Sequence, residues 1–117
     1  MKFVIMVRDA PTGSPGPATA LAFARAVLAR GHELLRVFFY FDGVMNADRL
    51  AVPTGEDRNL PREWSQLAAE TGVELVVCIT AGQRRGLREA NLAPGFRISG
   101  LGQLVEAVLR ADRYVTF

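Results

Sequence analysis

The sequence holds one cysteine, Cys78, one histidine, His32, and one tryptophan, Trp64. A single cysteine excludes an internal disulfide and a two-cysteine redox pair, and one Cys plus one His cannot supply the ligands of a structural zinc site. Any thiol chemistry therefore uses Cys78 and a second molecule. Lysine is nearly absent as well: Lys2 is the only one among 14 basic residues, which face 12 acids for a net charge of +2. So small an excess, with no basic stripe interleaved with aromatics, leaves no direct nucleic-acid binding to expect. The pI of 9.2 reflects arginine holding its charge to high pH. No apolar run approaches the ~18 residues of a membrane helix. The apolar run Phe3 to Val7 follows Lys2 and stops at Arg8 and Asp9, which no secretory signal does. A cytoplasmic protein without membrane contact is expected. The P-loop signature and the dinucleotide-binding glycine pattern are both missing.

What remains is a 12.8 kDa chain of 117 residues, half of them hydrophobic and 22% charged. That composition suits one globular domain over residues 1–117 and argues against disorder. The surface scaling gives ~6,300 Å² folded against ~18,600 Å² unfolded, enough burial for a core without staples.

Strand-like and helix-like stretches alternate along the chain. Lys2 to Arg8 is a β-branched and aromatic run, followed by the proline- and glycine-rich loop Asp9 to Pro17. Ala18 to Arg30 is alanine-rich and helical, with Gly31 placed to stop it. Glu33 to Phe41 reads as a strand covered on both faces, because Val37-Phe38-Phe39-Tyr40-Phe41 is apolar without alternation. Asp42-Gly43 turns the chain, and Val44 to Pro61 (with Pro53 and Gly55) is irregular. Arg62 to Thr71 is helical and ends at Gly72. Val73 to Ile79 is a third strand. Thr80 to Glu89 reads as a short helix in which Thr80 is the cap and Gln83 stands at the capping-box spacing. Phe96 to Ile98 is a short strand. Leu101, Leu104, Val105, Val108 and Leu109 keep helical register after Ser99, and Arg113 to Phe117 closes the chain as a strand. Parallel strands on short connections need helical crossovers, so the fold class is α/β: a three-layer α/β/α domain on a five-stranded, mainly parallel sheet.

In such sheets ligands and reactive groups gather beyond the carboxyl ends of the strands. Cys78 falls there, beside a predicted helix start and ahead of Arg84, Arg85 and Arg88. A helix N-terminus and nearby guanidinium groups both favour thiolate, the nucleophilic form. The competing reading is a buried cysteine acting as a small apolar residue. Adjacent helical residues point about 100° apart, so only one of Arg84 and Arg85 is expected to face Cys78. Tyr40, Asp42 and Asn46 at the end of the second strand are expected beside it in support, although Asp42-Gly43 and Asn46 also make ordinary turn residues. The loop around Thr12-Gly13-Ser14 precedes a helix but loses three donors to Pro11, Pro15 and Pro17, which argues against phosphate binding. His32 suits a helix C-terminus and lies at the far end of the sheet from Cys78. Trp64 reads as core.

Taken together, Phe38-Phe39-Tyr40-Phe41-Asp42-Gly43-Val44 with Asn46, then Cys78 with Arg84-Arg85-Gly86, then Gly95-Phe96 and Ser99-Gly100-Leu101-Gly102, resemble the DsrE/TusD-like subunits of the DsrEFH/TusBCD sulfur-relay family. The resemblance runs in order over nearly the whole chain. It implies a five-stranded parallel fold and sulfurtransferase activity, with a persulfide carried on the cysteine that matches Cys78. It also implies a heterohexamer with two related small subunits of the DsrF/TusC and DsrH/TusB kinds. The sulfur would go to thiolation of the tRNA wobble uridine or to cytoplasmic sulfur oxidation, and the sequence does not separate the two. Gly82 stands where such sequences are expected to carry alanine.

The mechanism this implies needs no metal and no organic cofactor. Cys78 takes sulfur from a donor protein's reactive cysteine and passes it to an acceptor's. Thr80, Arg84, Arg85, Tyr40, Asp42 and Asn46 are the expected supporting residues. The chain alone is expected to associate, as a homo-oligomer when partners are absent. The alternative is a non-catalytic subunit of the same fold that binds flavin or nucleotide in the same cleft.

Overall fold

A computed structural model describes residues 1–53 and 58–117. The five strands are β1 (Lys2–Val7), β2 (Glu33–Phe39), β3 (Leu75–Cys78), β4 (Phe96–Ser99) and β5 (Arg113–Thr116). They form one sheet in the order β4-β3-β2-β1-β5, and every pairing is parallel. The crossovers are α1 (Gly16–Ala29), α2 (Leu60–Thr71), α3 (Ile79–Gln83) and α4 (Gly102–Arg110), with 3-10 helices at Phe41–Ala47 and Glu89–Asn91. The exposed area is 6322 Å², as expected for a compact domain of this mass.

Helices cover both faces of the sheet. On β2 successive side chains alternate between faces. Phe39 packs edge-on to Trp64 of α2, ring centroids 5.2 Å apart. Arg36, of opposite parity, reaches Glu106 and the Gln103 carbonyl of α4. The α2 side carries the larger apolar core, with Trp64, Phe39, Leu21 and Leu67 all fully buried. Gly72 ends α2 at φ 75° and donates its N–H to the Ala68 carbonyl, a left-handed cap that only glycine adopts without strain.

Several boundaries differ from those read in the sequence, each for a local reason. β2 ends at Phe39, because the chain leaves the sheet at Tyr40 and winds into the 3-10 helix rather than a simple Asp42-Gly43 turn. The irregular stretch Val44 to Pro61 therefore begins helical and also gives its last two residues to α2; Gly55 lies outside the described residues. That helix starts at Leu60 because Asn59 caps it, its side chain accepting from Arg62 N–H at 3.2 Å. β3 is shorter at both ends than Val73 to Ile79, and Ile79 opens α3. α3 stops at Gln83, well short of Glu89, because Arg85 and Leu87 N–H both turn back to the Gly82 carbonyl. Thr80 is not its cap: Cys78 holds the cap position, with no side-chain cap bond.

The helix read after Ser99 is α4, and its apolar residues are divided: Leu101 just before it, Val105 and Leu109 are exposed, Leu104 is half-buried against the core, and Ala107 is its one fully buried residue. The inward contacts of α4 include the ionic ones to Arg36 as well as Leu104, and Val105 and Leu109 form an outward apolar stripe.

Candidate functional site

Cys78 is the last residue of β3 and sits between Phe39 and Ser99 at the carboxyl ends of the neighbouring strands. Its backbone is extended, at φ −63° and ψ 122°, and the chain turns helical immediately afterwards. The thiol is part of the core: Cys78 is 2% exposed and clusters with Val77, Ala81 and Val44. No side-chain hydrogen bond reaches it among the described residues. The five-residue α3 supplies only one turn of aligned peptide dipoles, less than the short helix Thr80 to Glu89 read from the sequence.

The two adjacent arginines have different fates. Arg85 Nε donates to Asp42 Oδ1 at 2.9 Å, and its Nη1 donates to the Ala81 carbonyl at 3.0 Å. It is thereby spent on tying α3 to the Phe41–Ala47 helix. Arg84 is exposed and has no ionic partner among the described residues. Both line an open cavity of about 350 Å³ together with Tyr40, Phe41, Thr80 and Ala81. Tyr40, Thr80, Arg84 and Arg85 thus converge on one surface, with Asp42 joined through Arg85.

Asn46 stands apart from that surface. It is fully buried, and its Nδ2 donates to the Asp9 carbonyl at 3.0 Å and the Gly43 carbonyl at 2.9 Å. It fastens the 3-10 helix to the chain leaving β1. Gly43 does the same by contact: an added β-carbon would collide with the Val7 carbonyl oxygen.

Phe41 is the residue that sequence reading missed. Its φ of 50° places a bulky side chain in the left-handed region, at a cost of about 1–3 kcal/mol. Two backbone bonds hold it there: Tyr40 N–H donates to the Val7 carbonyl and Gly43 N–H to the Arg8 carbonyl. The ring is half exposed and lies flat on Tyr40, centroids 4.1 Å apart and planes 9° from parallel. An uninterrupted aromatic run signals a strand; the one hint of the reversal is Gly43 two residues on.

The remaining candidates sit elsewhere. Ser14 Oγ donates to Asp9 at 2.7 Å and accepts from Gly16 N–H, so Ser14 ties the Asp9–Pro17 loop to itself ahead of α1. His32 bonds the terminal amine of Met1 and packs on Phe3, at the amino end of the sheet. Trp64 is core. Among the described residues no group of His, Cys, Asp or Glu could hold a metal ion, and no helix is long and apolar enough to cross a membrane.

A parallel five-stranded sheet with one cysteine at a strand-to-helix junction can be set beside known proteins. The sequence model of the DsrE/DsrF-like family matches residues 1–117. The chain belongs to that family. It is 44% identical to the DsrE protein of Allochromatium vinosum, over 100% of this chain and 98% of that one. It is 43% identical to the sulfurtransferase TusD of Serratia proteamaculans, over 100% and 99%. Among solved structures, the ychN protein from E. coli superposes with a TM-score of 0.86 at 28% identity, covering all of both chains. A protein of unknown function from Methanobacterium thermoautotrophicum, MTH1491, shares the fold at a TM-score of 0.74 and 18% identity, over 99% and 98%. The α/β class and the DsrE/TusD resemblance read from the sequence both hold for this DsrE/DsrF-like chain.

Proposed function

We propose that Cys78 carries sulfur as a persulfide. The chain is a sulfurtransferase of the DsrE/TusD kind, and Cys78 is its sole thiol. The observation that carries the reading is its position: the sulfur sits where β3 gives way to α3, at the carboxyl edge of the sheet.

The step is a thiol–persulfide exchange. Cys78 thiolate attacks the outer sulfur of a donor persulfide, RS–SH. A sulfur–sulfur bond forms at Cys78 as the donor's breaks, giving Cys78–S–SH and RS⁻. No net oxidation occurs, and no second cysteine in the chain can expel the sulfur as sulfide. An acceptor thiolate then takes the outer sulfur in the same way.

With 2% exposure, the thiol meets a partner only after the segments above it shift. Those segments are α3 and the Phe41–Ala47 helix, joined by Arg85 and Asp42. Opening exposes the sulfur for transfer, and closing shields the persulfide from other thiols. Tyr40, Thr80, Arg84, Arg85 and Asp42 act around the opening, and Asn46 holds its base.

Such a carrier works in the cytoplasm inside an assembly of related small subunits, as a heterohexamer with partners of the DsrF/TusC-like and DsrH/TusB-like kinds. The outward apolar stripe of α4 supports association. Both tRNA thiolation and sulfur oxidation fit the relatives. A flavin- or nucleotide-binding role is not favoured, since the relatives include sulfurtransferases and three prolines remove donors from the Asp9–Pro17 loop.

The test is to incubate the protein with a persulfide donor and weigh it. Wild type should gain whole sulfur atoms, and Cys78→Ser should gain none. Equal gain in both proteins would reject the reading.

A further inference from the structure

Beside the proposed sulfur carrier lies a surface whose chemistry is unspent. Arg85 is neutralised by Asp42, whereas Arg84, one residue earlier on the same cavity, keeps its charge. The opposite wall is Phe41, held in a strained conformation that presents its ring, with Tyr40 stacked behind it. Backbone strain in a bulky residue persists only where surrounding contacts impose it, and it clusters at functional positions.

We infer that this surface docks an acidic segment of the protein that delivers or takes the sulfur, with Arg84 as its specificity-determining residue. A carboxylate of the segment pairs with the Arg84 guanidinium, and an apolar side chain lies on the Phe41–Tyr40 plate. Three features argue for this occupant. The free charge is positive, because Arg84 has no carboxylate partner among the described residues and Asp42, next to the cavity, is engaged by Arg85. The floor is aromatic and fixed, so little freedom is lost when an apolar side chain settles on it. A cavity of about 350 Å³ open to solvent takes a few side chains of an extended segment. The inference rests on the sulfur-carrier reading for the identity of the partner, though not for the binding itself.

Two labelled short peptides test it. They are identical except that one carries two glutamates and the other two lysines beside a central Phe-Ser pair, so neither can exchange sulfur. Fluorescence anisotropy with the full chain should show the acidic peptide binding about fivefold tighter at low salt, the scale of one exposed ion pair. The gap should close in Arg84→Gln and in about 0.5 M salt, where screening shortens to a few ångströms. It should persist in Arg30→Gln, an exposed arginine at the other end of the sheet. Equal binding of the two peptides, including no binding by either, overturns the inference, as does a gap that survives Arg84→Gln. The same peptides with cysteine persulfide in place of serine report sulfur loading by mass. Charge-dependent binding without loading leaves the docking surface standing and removes the carrier reading.

Discussion

The Arg85 guanidinium donates to the Asp42 carboxylate at 2.9 Å, clipping α3 to the 3-10 helix that follows β2. The two residues are 43 positions apart, one following β3 and the other following its neighbour β2. Asp42 is mostly exposed, so the pair is worth little to global stability. Its consequence is local, because the segments it joins cover the thiol. Alkylation of Cys78 by iodoacetamide should accelerate about two- to fivefold in Asp42→Asn and in Arg85→Gln. The double variant should gain no more than Arg85→Gln alone, because that change already removes the contact with Asp42 as well as the bond to the Ala81 carbonyl. Additive acceleration, or none, would show that the pair does not govern access.

Gly43→Ala is expected to be far more costly. The new methyl group meets backbone, the Val7 carbonyl, rather than a side chain that can swing away. Relief requires moving the 3-10 helix off β1 and so breaking the Gly43 N–H bond to Arg8. The loss should be about 3 kcal/mol, read as a lower urea midpoint at unchanged slope.

Acid should weaken the attachment of α4. Arg36 is buried on β2 and donates to Glu74 at 2.8 Å and to Glu106 at 2.7 Å. Its hydrogen bonds hold both carboxyl groups below the usual carboxylate range. A carboxylate with a depressed folded-state value contributes stability that is complete above the ordinary unfolded value and lost as pH falls through the folded one. Melting temperature should therefore fall as pH drops below about 4. Arg36→Met should be less stable at neutral pH and show a shallower acid decline, since its carboxylates are no longer held down. An acid decline as steep as that of wild type would place the sensitivity elsewhere.

The outward stripe of α4 predicts self-association. Sizing of the chain alone at micromolar concentration should give a species larger than 12.8 kDa. Val105→Lys with Leu109→Lys should shift it towards monomer. Both side chains are exposed, so the fold itself should tolerate the change within about 0.5 kcal/mol per site. A monomeric wild type would remove the apolar stripe as an interface.

Much of the fold was legible because its signals are local. The continuous apolar run before Asp42 marks β2 as covered on both faces. Gly31 and Gly72 mark helix ends by a conformation that other residues adopt only with strain. Where reading stopped short, the deciding contact was distant in the chain. Thr80 has the identity of a cap, but Cys78 already leaves the strand in the cap position. Phe41 looked like the end of a strand because nothing near it in sequence announces that Val7 and Arg8 will draw Tyr40 and Gly43 onto β1.

By itself the sequence determined the alternation of strands and helices, and with it a parallel sheet, and it set one thiol at the end of the third strand. Periodicity and turn chemistry act over a few residues, so a single chain suffices to reveal them. Only the tertiary structure decided which arginine keeps its charge, because the carboxylate that neutralises Arg85 arrives from another loop. Only it decided that α4 leaves Val105 and Leu109 outward while Leu104 packs on the core. A helical period shows that two faces differ, but what lies against each is settled by long-range packing, here with Arg36 of β2 bonding Glu106 and the Gln103 carbonyl.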